Sequence, residues 1–370
     1  MKLFECQHCG QQLYFENTHC EQCGYALGYL CEDNTLLTLQ QDQEDHSDDW
    51  TALTQPQQHY RYCANATYDA CNWLLDSASE DTLCRACQLN RTIPDLSNPD
   101  HLAQWRSLEI AKHRLVYTLL RLRLPLRNKT EAPERGLAFD FLAELATPFR
   151  ETAQVITGHA QGVITINIAE ADDAERERQR QNMAEPYRTL LGHMRHEVGH
   201  YYWEHLLHRS DWLEPYRALF GDERQDYGEA LDAHYSEGPQ SDWAEQFISA
   251  YASSHPWEDW AETWAHYLHI VDTLETAYAY GLRIRPKVGD TDMLAASADF
   301  DPYVQDDFDT LIDAWLPLTF AVNSLNRSMG QPDLYPFVVT PVVVDKLSFV
   351  HRFIRAHRGA ARHTPATAKP

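Results

Sequence analysis

The sequence predicts an α+β fold in which a β-rich, cysteine-containing N-terminal region precedes a mostly helical domain with a small β-sheet. Three observations predict it. All nine cysteines lie before residue 88, among short apolar runs that are typical of strands. From Ser97 onward, apolar residues recur at the three- to four-residue spacing of helices. One alternating segment, residues 163–168, interrupts the helices and indicates a strand.

Length and composition indicate a globular protein of two or three domains. The chain has 370 residues, of which 44% are hydrophobic, enough for packed cores. No apolar run approaches the roughly 20 residues that cross a bilayer, and the N-terminus lacks a signal-peptide pattern. We therefore expect a cytoplasmic location and no membrane partner. The formal net charge of −24 would repel a phosphate backbone, so no nucleic-acid partner is expected; the composition predicts no particular oligomeric state.

Two cysteine pairs near the N-terminus form a zinc-ribbon pattern. Cys6 and Cys9, and then Cys20 and Cys23, are each separated by two residues, and a glycine follows each pair. Four thiolates complete a tetrahedral zinc ion and leave no position for a substrate, so the pattern predicts a structural site. Iron is the alternative, because it also accepts four thiolates.

A second cysteine set follows a polar segment, residues 40–59, that we interpret as a linker. Its wider spacing predicts a second structural zinc, with free or buried thiols as the alternative. Cys31 belongs to neither set and is predicted to be a small core residue. The members of the second set are Cys63, Cys71, Cys84 and Cys87.

The remaining chain divides into predicted segments. A hairpin is predicted ahead of a long helical region, and its edge could receive an extended peptide as an added strand. We expect helices at 101–124 and 136–146, a hairpin at 152–157 and 163–168 with its turn at 158–162, helical structure at 185–281, and two helices within 309–356. We expect domains at 1–95 and 96–356, with a flexible tail at 357–370.

The segment His196-Glu197-Val198-Gly199-His200 predicts a catalytic zinc site. Two histidines four residues apart lie on one face of a helix, where both imidazoles can bind one Zn²⁺ and Glu197 can act on the activated water. A histidine pair satisfied within the core is the alternative. Apolar residues beside this stripe, such as Met194 and Tyr202, would anchor the helix in the core.

A catalytic zinc needs a third protein ligand. The metzincin pattern is excluded, because Trp203 and Leu206 stand where it requires glycine and histidine. A second helix within 257–269 has a tryptophan-rich apolar face, and a row of metal-binding side chains lies beside that face. Such a row on a surface helix, with only side-chain pairs between neighbouring turns, is the alternative. The candidates in the row are Glu258, Glu262, His266 and His269.

Several blocks resemble an uncharacterised bacterial family of zinc-ribbon metallopeptidases. They are the two cysteine sets, HEVGHYYW from His196, FGDER from Phe220, and HPWEDWAETWAHY from His255. The segment Ala261-Glu262-x-x-Ala265 is also similar to the helix that supplies the third ligand in gluzincins. This resemblance implies Glu262 as the ligand. Its deeper position in the helix supports the same choice, since Glu258 in the first turn is also explained by the helix dipole.

These observations predict a zinc-dependent metallopeptidase that acts on a peptide or protein, with one catalytic and two structural Zn²⁺. His196, His200 and Glu262 would bind the catalytic ion, and Glu197 would be the general base. His255 and Tyr251 are candidates to stabilise the oxyanion, with Tyr227 and His234 as weaker ones. The alternatives are a zinc-binding scaffold without hydrolytic activity and a nucleic-acid-associated protease guided by its zinc ribbons.

Overall fold

A computed structural model describes residues 1–41, 49–144, 157–182, 189–288 and 294–359. The described residues fall into two compact units. Unit 1 comprises those of Met1–Tyr117, Ala138–Thr157 and Thr165–Asp172, and unit 2 comprises those of Thr118–Leu137, Gly158–Ile164 and Asp173–Pro370. The beginning of the first long helix thus groups with unit 1, and the expected domain boundary at 95/96 stays a prediction.

The secondary structure changes from strands to helices along the chain, which confirms the predicted α+β fold. The strands are β1 (Phe4–Glu5), β2 (Gln12–Leu13), β3 (Ala26–Leu30), β4 (Thr35–Gln41), β5 (Trp50–Ala52), β6 (Gln55–Tyr62), β7 (Leu74–Asp76), β8 (Asn90–Thr92), β9 (Ala138–Leu142), β10 (Gly158–Ala160), β11 (Val163–Asn167), β12 (Arg283–Ile284) and β13 (Ala296–Ser297). The α-helices are α1 (Pro99–Arg121), α2 (Asp173–Asn182), α3 (Leu190–Tyr202), α4 (Leu213–Phe220), α5 (Tyr227–Glu237), α6 (Trp243–Gln246), α7 (Pro256–Ala279), α8 (Phe308–Ser328) and α9 (Pro341–Ala356).

Unit 1 contains an antiparallel sheet in the order β3-β4-β5-β6-β7. Tyr29 in β3 bridges to Trp73, next to β7, so the first strand also lies beside the segment that leads into the last. The interpretation of residues 40–59 as a linker is wrong, because β5 and most of β6 lie there. Ala52 and Tyr60 point into the core while the neighbouring polar side chains of β6 are exposed. Residues 42–48 lie outside the described part of the chain.

The helix predicted at 136–146 is also wrong, because β9 occupies residues 138–142 and pairs in parallel with β8. The strand is buried on both faces: Phe139 and Phe141 are fully inaccessible, and Asp140 is 5% exposed. Arg91 pairs with the Asp140 carboxylate. A strand buried on both faces reads as a continuous apolar run, which periodicity alone does not separate from a short helix. Residues 145 and 146 are outside the described residues.

The remaining helices follow the predicted pattern. Helix α1, predicted at 101–124, runs through Pro99–Arg121, with its residues up to Tyr117 in unit 1, and α8 and α9 of unit 2 are the two helices predicted at the end of the chain. The predicted turn begins later than expected, since residues 158–160 form β10 and the turn lies at Gln161 and Gly162 before β11. Residues 152–156 and 360–370 lie outside the described residues. Among the helices described here, none is long and apolar enough to cross a membrane.

Candidate metal centres

Helices α3 and α7 pack closely against each other because a glycine lies at their crossing. A Cβ atom on Gly199 would lie 3.1 Å from Ala261 Cα and 3.2 Å from Trp264 Cβ. The Trp260 indole donates a hydrogen bond of 2.9 Å to the Gly199 carbonyl. Tyr202 stacks on Trp264 with ring centroids 5.1 Å apart. These contacts hold the histidines of α3 against the carboxylates of α7.

Three donor atoms converge between the two helices. The Nε2 atoms of His196 and His200 are 3.1 Å apart. Glu258 places Oε2 at 2.9 Å from His196 Nε2 and Oε1 at 3.5 Å from His200 Nε2. Ligand atoms about 2.0–2.2 Å from a tetrahedral zinc ion are about 3.3 Å from one another. The three side chains therefore have the spacing and the chemistry of a zinc ligand set.

The charges of this cluster favour a bound cation. Burial raises the pKa of Glu258, but contacts with His200 and His196 outweigh it, so that its pKa lies well below the usual range. Burial lowers the pKa of His196, but the contacts with Glu258 and Glu262 outweigh it, so that the pKa of His196 lies well above its usual range. The side chains of His196 and Glu258 are only 11% and 1% exposed. Two buried carboxylates beside one imidazole leave an excess of negative charge that a metal ion would compensate.

Glu262, which sequence reasoning favoured as the third ligand, contacts the other side of His196. Its Oε1 lies 2.7 Å from His196 Nδ1, and its Oε2 accepts a 2.7 Å hydrogen bond from Ser249 Oγ. The geometry thus places Glu258, and not Glu262, with the two Nε2 atoms, and the identity of the third ligand stays a prediction. A proton held on Nδ1 by Glu262 leaves the Nε2 lone pair directed at Glu258 and His200.

The other two side chains in the predicted row on α7 are engaged elsewhere. His266 Nδ1 lies 2.8 Å from the hydroxyl of Tyr335. His269 Nδ1 lies 2.6 Å from a guanidinium nitrogen of Arg195, a residue of α3. Of the four side chains in the predicted row, only Glu258, in the first turn of α7, lies beside the Nε2 atoms of His196 and His200.

Glu197 lies beside the donor set but does not join it. Its Oε1 is 3.2 Å from His193 Nε2. Its Oε2 is buried and has no hydrogen-bond partner among the described residues. Burial raises the pKa of Glu197, but the contact with His193 and the nearby histidine charges outweigh it, so the pKa is lowered. An ionised carboxylate with one uncommitted oxygen is suited to accept a proton.

Two tyrosines lie next to the donor set. The Tyr227 hydroxyl donates a 2.8 Å hydrogen bond to Glu258 Oε1. The Tyr251 ring lies 6.0 Å from the His196 ring, between centroids. Burial raises the pKa of both phenols, so both remain protonated donors. Of the two, Tyr227 is in direct contact with the cluster, although the sequence ranked it lower.

His255 has a structural role in this arrangement. It is the N-cap of α7, and its Nδ1 accepts a 3.1 Å hydrogen bond from the Trp257 amide. Its Nε2 lies 3.3 Å from the carbonyl of Gln225. Both ring nitrogens are thus engaged with backbone groups, an arrangement that does not favour His255 as an oxyanion donor; its catalytic role stays a prediction. His234 lies farther out, with its ring 6.1 Å from that of Tyr251.

The first cysteine set forms a compact cluster in unit 1. The Sγ atoms of Cys6 and Cys23 are 3.6 Å apart, as are those of Cys9 and Cys20. Thiolates about 2.3 Å from a tetrahedral zinc are about 3.8 Å from one another. The glycine after each pair has a positive φ, near 75°, and donates its amide back to the first cysteine of its pair. The loops therefore have the form that four-thiolate zinc binding requires.

The second set is also brought together, and it is completely buried. Cys71 and Cys84 have Sγ atoms 3.7 Å apart, and the Cys84 amide donates to Cys63 Sγ at 3.3 Å. All four thiols, including that of Cys87, lie within 4.8 Å of one another. Cys31 lies outside both clusters, and burial raises its pKa, which agrees with an unreactive thiol.

A feature that sequence reasoning did not single out lies beside the second cluster. His113 Nε2 is 3.6 Å from Cys87 Sγ, and Lys112 Nζ forms a fully buried ion pair of 2.7 Å with Glu109. All three side chains are on α1. The cations compensate the negative charge of a four-thiolate site. The i to i+4 spacing of Glu109 and His113 was the only signal in the sequence.

Comparisons with known proteins agree with both regions. A family described as "Putative zinc-binding metallo-peptidase" matches residues 101–353, and a zinc-ribbon domain matches residues 3–98. Two uncharacterized proteins, from Mycobacterium bovis and Mycobacterium tuberculosis, are each 42% identical to this chain over 355 residues, which cover 96% of this chain and 95% of theirs. No solved structure gives a significant match. The chain belongs to this family of zinc-binding metallopeptidases and begins with its zinc-ribbon region.

Proposed function

We propose that the protein is a zinc-dependent peptidase in which His196, His200 and Glu258 bind the ion and Glu197 is the general base. The observation that carries the proposal is the convergence of three buried donor atoms beside a carboxylate oxygen without a partner. The bound ion would activate a water molecule and polarise the scissile carbonyl. Family membership supports the same chemistry.

Each neighbouring side chain has a defined task in this mechanism. Glu197 Oε2 accepts the proton of the attacking water and returns it to the leaving amine. Glu262, held by Ser249, orients the His196 ring. Tyr227 is the first candidate to stabilise the developing oxyanion, because its hydroxyl lies beside the donor set; it would turn its proton from Glu258 Oε1, to which it donates at 2.8 Å, toward the oxyanion. Tyr251 is the second candidate.

A strand near α3 offers a place for the substrate backbone. β10 pairs with β11 on one side, and no described strand lies on its other side. α3 packs against β10 within unit 2. An extended peptide adding to this edge would present its backbone beside the helix that carries Glu197. The substrate is therefore a peptide or an extended protein segment.

The two cysteine clusters would each bind one structural zinc ion. Four thiolates close the coordination sphere of each ion, and neither cluster offers a position for a reacting group. The proposed content is three zinc ions per chain, one catalytic and two structural.

A comparison of cleaved termini tests the proposal. The wild-type protein and the Glu197→Gln variant are incubated with a peptide library prepared from a bacterial proteome, and new termini are sequenced. We expect cleavage by the wild type and a loss of about 10²–10⁴-fold in the variant, with unchanged zinc content. Glu214→Gln, an exposed glutamate on α4, is the matched control.

Three outcomes would count against the proposed function. Bound zinc without any cleavage by the wild type would favour the scaffold alternative. Equal cleavage by wild type and Glu197→Gln would assign the activity to another site or to a contaminant. A salt-dependent mobility shift with DNA or RNA would favour the nucleic-acid-guided alternative.

A further inference from the structure

His193 contacts the proposed general base from one helical turn earlier on α3. Its Nε2 lies 3.2 Å from Glu197 Oε1, at the i to i+4 spacing. The His193 and Glu197 side chains are 13% and 8% exposed. His193, His196, Glu197 and His200 thus lie on one face of the helix. His193 is outside the HExxH pattern, and it is not among the donor atoms of the metal cluster.

The two oxygens of the Glu197 carboxylate have different environments. Oε1 is held by His193, whereas Oε2 is buried and has no hydrogen-bond partner among the residues the structure describes. A buried polar atom without a partner is unfavourable, so Oε2 is the oxygen suited to accept a hydrogen bond from a ligand or a water. A carboxylate free to rotate would present either oxygen, and in a range of directions.

We propose that His193 is a positioning residue that donates from Nε2 to Glu197 Oε1 and so directs Oε2 at the water that Glu197 deprotonates. This inference rests on the proposed peptidase function. Positioning acts on the chemical step, because a displacement of about 1 Å in a catalytic group can cost about 10²-fold in rate. A histidine–glutamate pair with only a structural role would add slightly to the stability of the helix and nothing to the rate.

Kinetics of three variants test the effect on the reaction. The substrate is a peptide that the wild type cleaves in the library, and the variants are His193→Ala, His193→Gln and the exposed-histidine control His208→Ala. We expect His193→Ala to lower kcat about 10²-fold with KM and zinc content unchanged. His193→Gln should recover most of the rate, because its amide can donate to Oε1. His193→Ala with a kcat within about twofold of wild type, or Gln and Ala variants that are equally slow, would overturn the proposal.

A spectroscopic measurement tests the contact without any substrate. In protein labelled with ¹⁵N-histidine, the signals of His193 are assigned by their loss in His193→Gln. We expect Glu197→Gln to shift the His193 Nε2 signal and Glu214→Gln, on α4, to leave it unchanged. An unmoved signal in Glu197→Gln would overturn the proposal. Absence of wild-type cleavage would instead contradict the peptidase function, while the spectra would still decide whether His193 holds Glu197.

Discussion

The cysteine clusters of unit 1 and the histidine cluster of unit 2 use opposite arrangements of donors. Each cysteine cluster has four thiols within 4.8 Å, whereas the histidine cluster has three donors within that distance. Four ligands complete the coordination of zinc and stabilise a fold, while three leave a position at which a substrate can react. The number of donors thus separates structural from catalytic sites more directly than their amino-acid type.

The two kinds of cluster also differ in what surrounds them. The first cysteine cluster is supported by its own loop, since the Gly10 and Gly24 amides donate to cysteine carbonyls. The histidine cluster is supported by side chains from distant segments, such as Ser249 on Glu262 and Tyr227 on Glu258. A site that must stay open needs side-chain support from its neighbours, because the metal does not itself hold every ligand in place.

The largest effect is expected from removing one thiolate of a closed cluster. Cys63→Ser should lose one zinc ion and unfold the buried surroundings of that cluster, because structural zinc contributes on the order of 10 kcal/mol to the folding of small zinc domains. Zinc analysis and thermal unfolding followed by circular dichroism measure both effects. Cys31→Ser, a thiol outside both clusters, should retain all zinc. Full zinc content in Cys63→Ser would show that the second cysteine cluster is not a closed four-thiolate zinc site.

The second-largest effect is expected at Glu258, the proposed third ligand of the histidine cluster. Glu258→Ala should release the histidine-bound ion and abolish peptidase activity, since two imidazoles alone hold zinc poorly. Both cysteine clusters should keep their metal, so the fold of unit 1 should be retained. Zinc content and library cleavage are the measurements. Retention of three zinc ions and of activity would show that Glu258 is not a ligand.

A smaller effect is expected for the residue that orients His196. Glu262→Gln should keep the histidine-bound ion but weaken its affinity by about 10–100-fold, because the hydrogen bond to Nδ1 is weakened while the Glu258 ligand remains. Competition with a chelator of known affinity gives the value. If Glu262→Gln lost the ion outright and Glu258→Ala kept it, the two assignments would be exchanged.

The smallest effect is expected at the helix crossing. Gly199→Ala should lower the free energy of unfolding by about 1 kcal/mol, since overpacking costs about 1–3 kcal/mol and the helix propensity of alanine returns about 1 kcal/mol. Denaturant unfolding followed by tryptophan fluorescence measures it. On α5, a Cβ added at Gly228 would lie at an ordinary contact distance of 3.5 Å from Asp226 Oδ1. Gly228→Ala should therefore leave the free energy of unfolding unchanged or raise it. Equal results for the two variants would show that close packing at Gly199 is unimportant.

Local patterns in the sequence were sufficient to predict the donor groups whose side chains come from nearby residues. The CxxC pairs and the His196–His200 spacing specify side chains that share one loop or one helix face, and the structure brings each group together. The helices α8 and α9 were predicted for the same reason, since their apolar periodicity is regular over many turns. Strand β9 was not predicted, because its short, mostly apolar segment fits a helix as well as a strand.

The sequence by itself determined the fold class, the two cysteine sets and the helix that carries His196, Glu197 and His200. Only the tertiary structure distinguished the positions of Glu258 and Glu262, which lie one turn apart on the same side of α7: Glu258 lies beside the two Nε2 atoms and Glu262 beside His196 Nδ1. Helical spacing fixes which residues share a face, but the crossing of α7 over α3 at Gly199 fixes which turn meets the Nε2 atoms and which meets Nδ1. The same reason explains why the sequence did not single out Ser249 and ranked Tyr227 below Tyr251, since their contacts join segments that are distant in sequence.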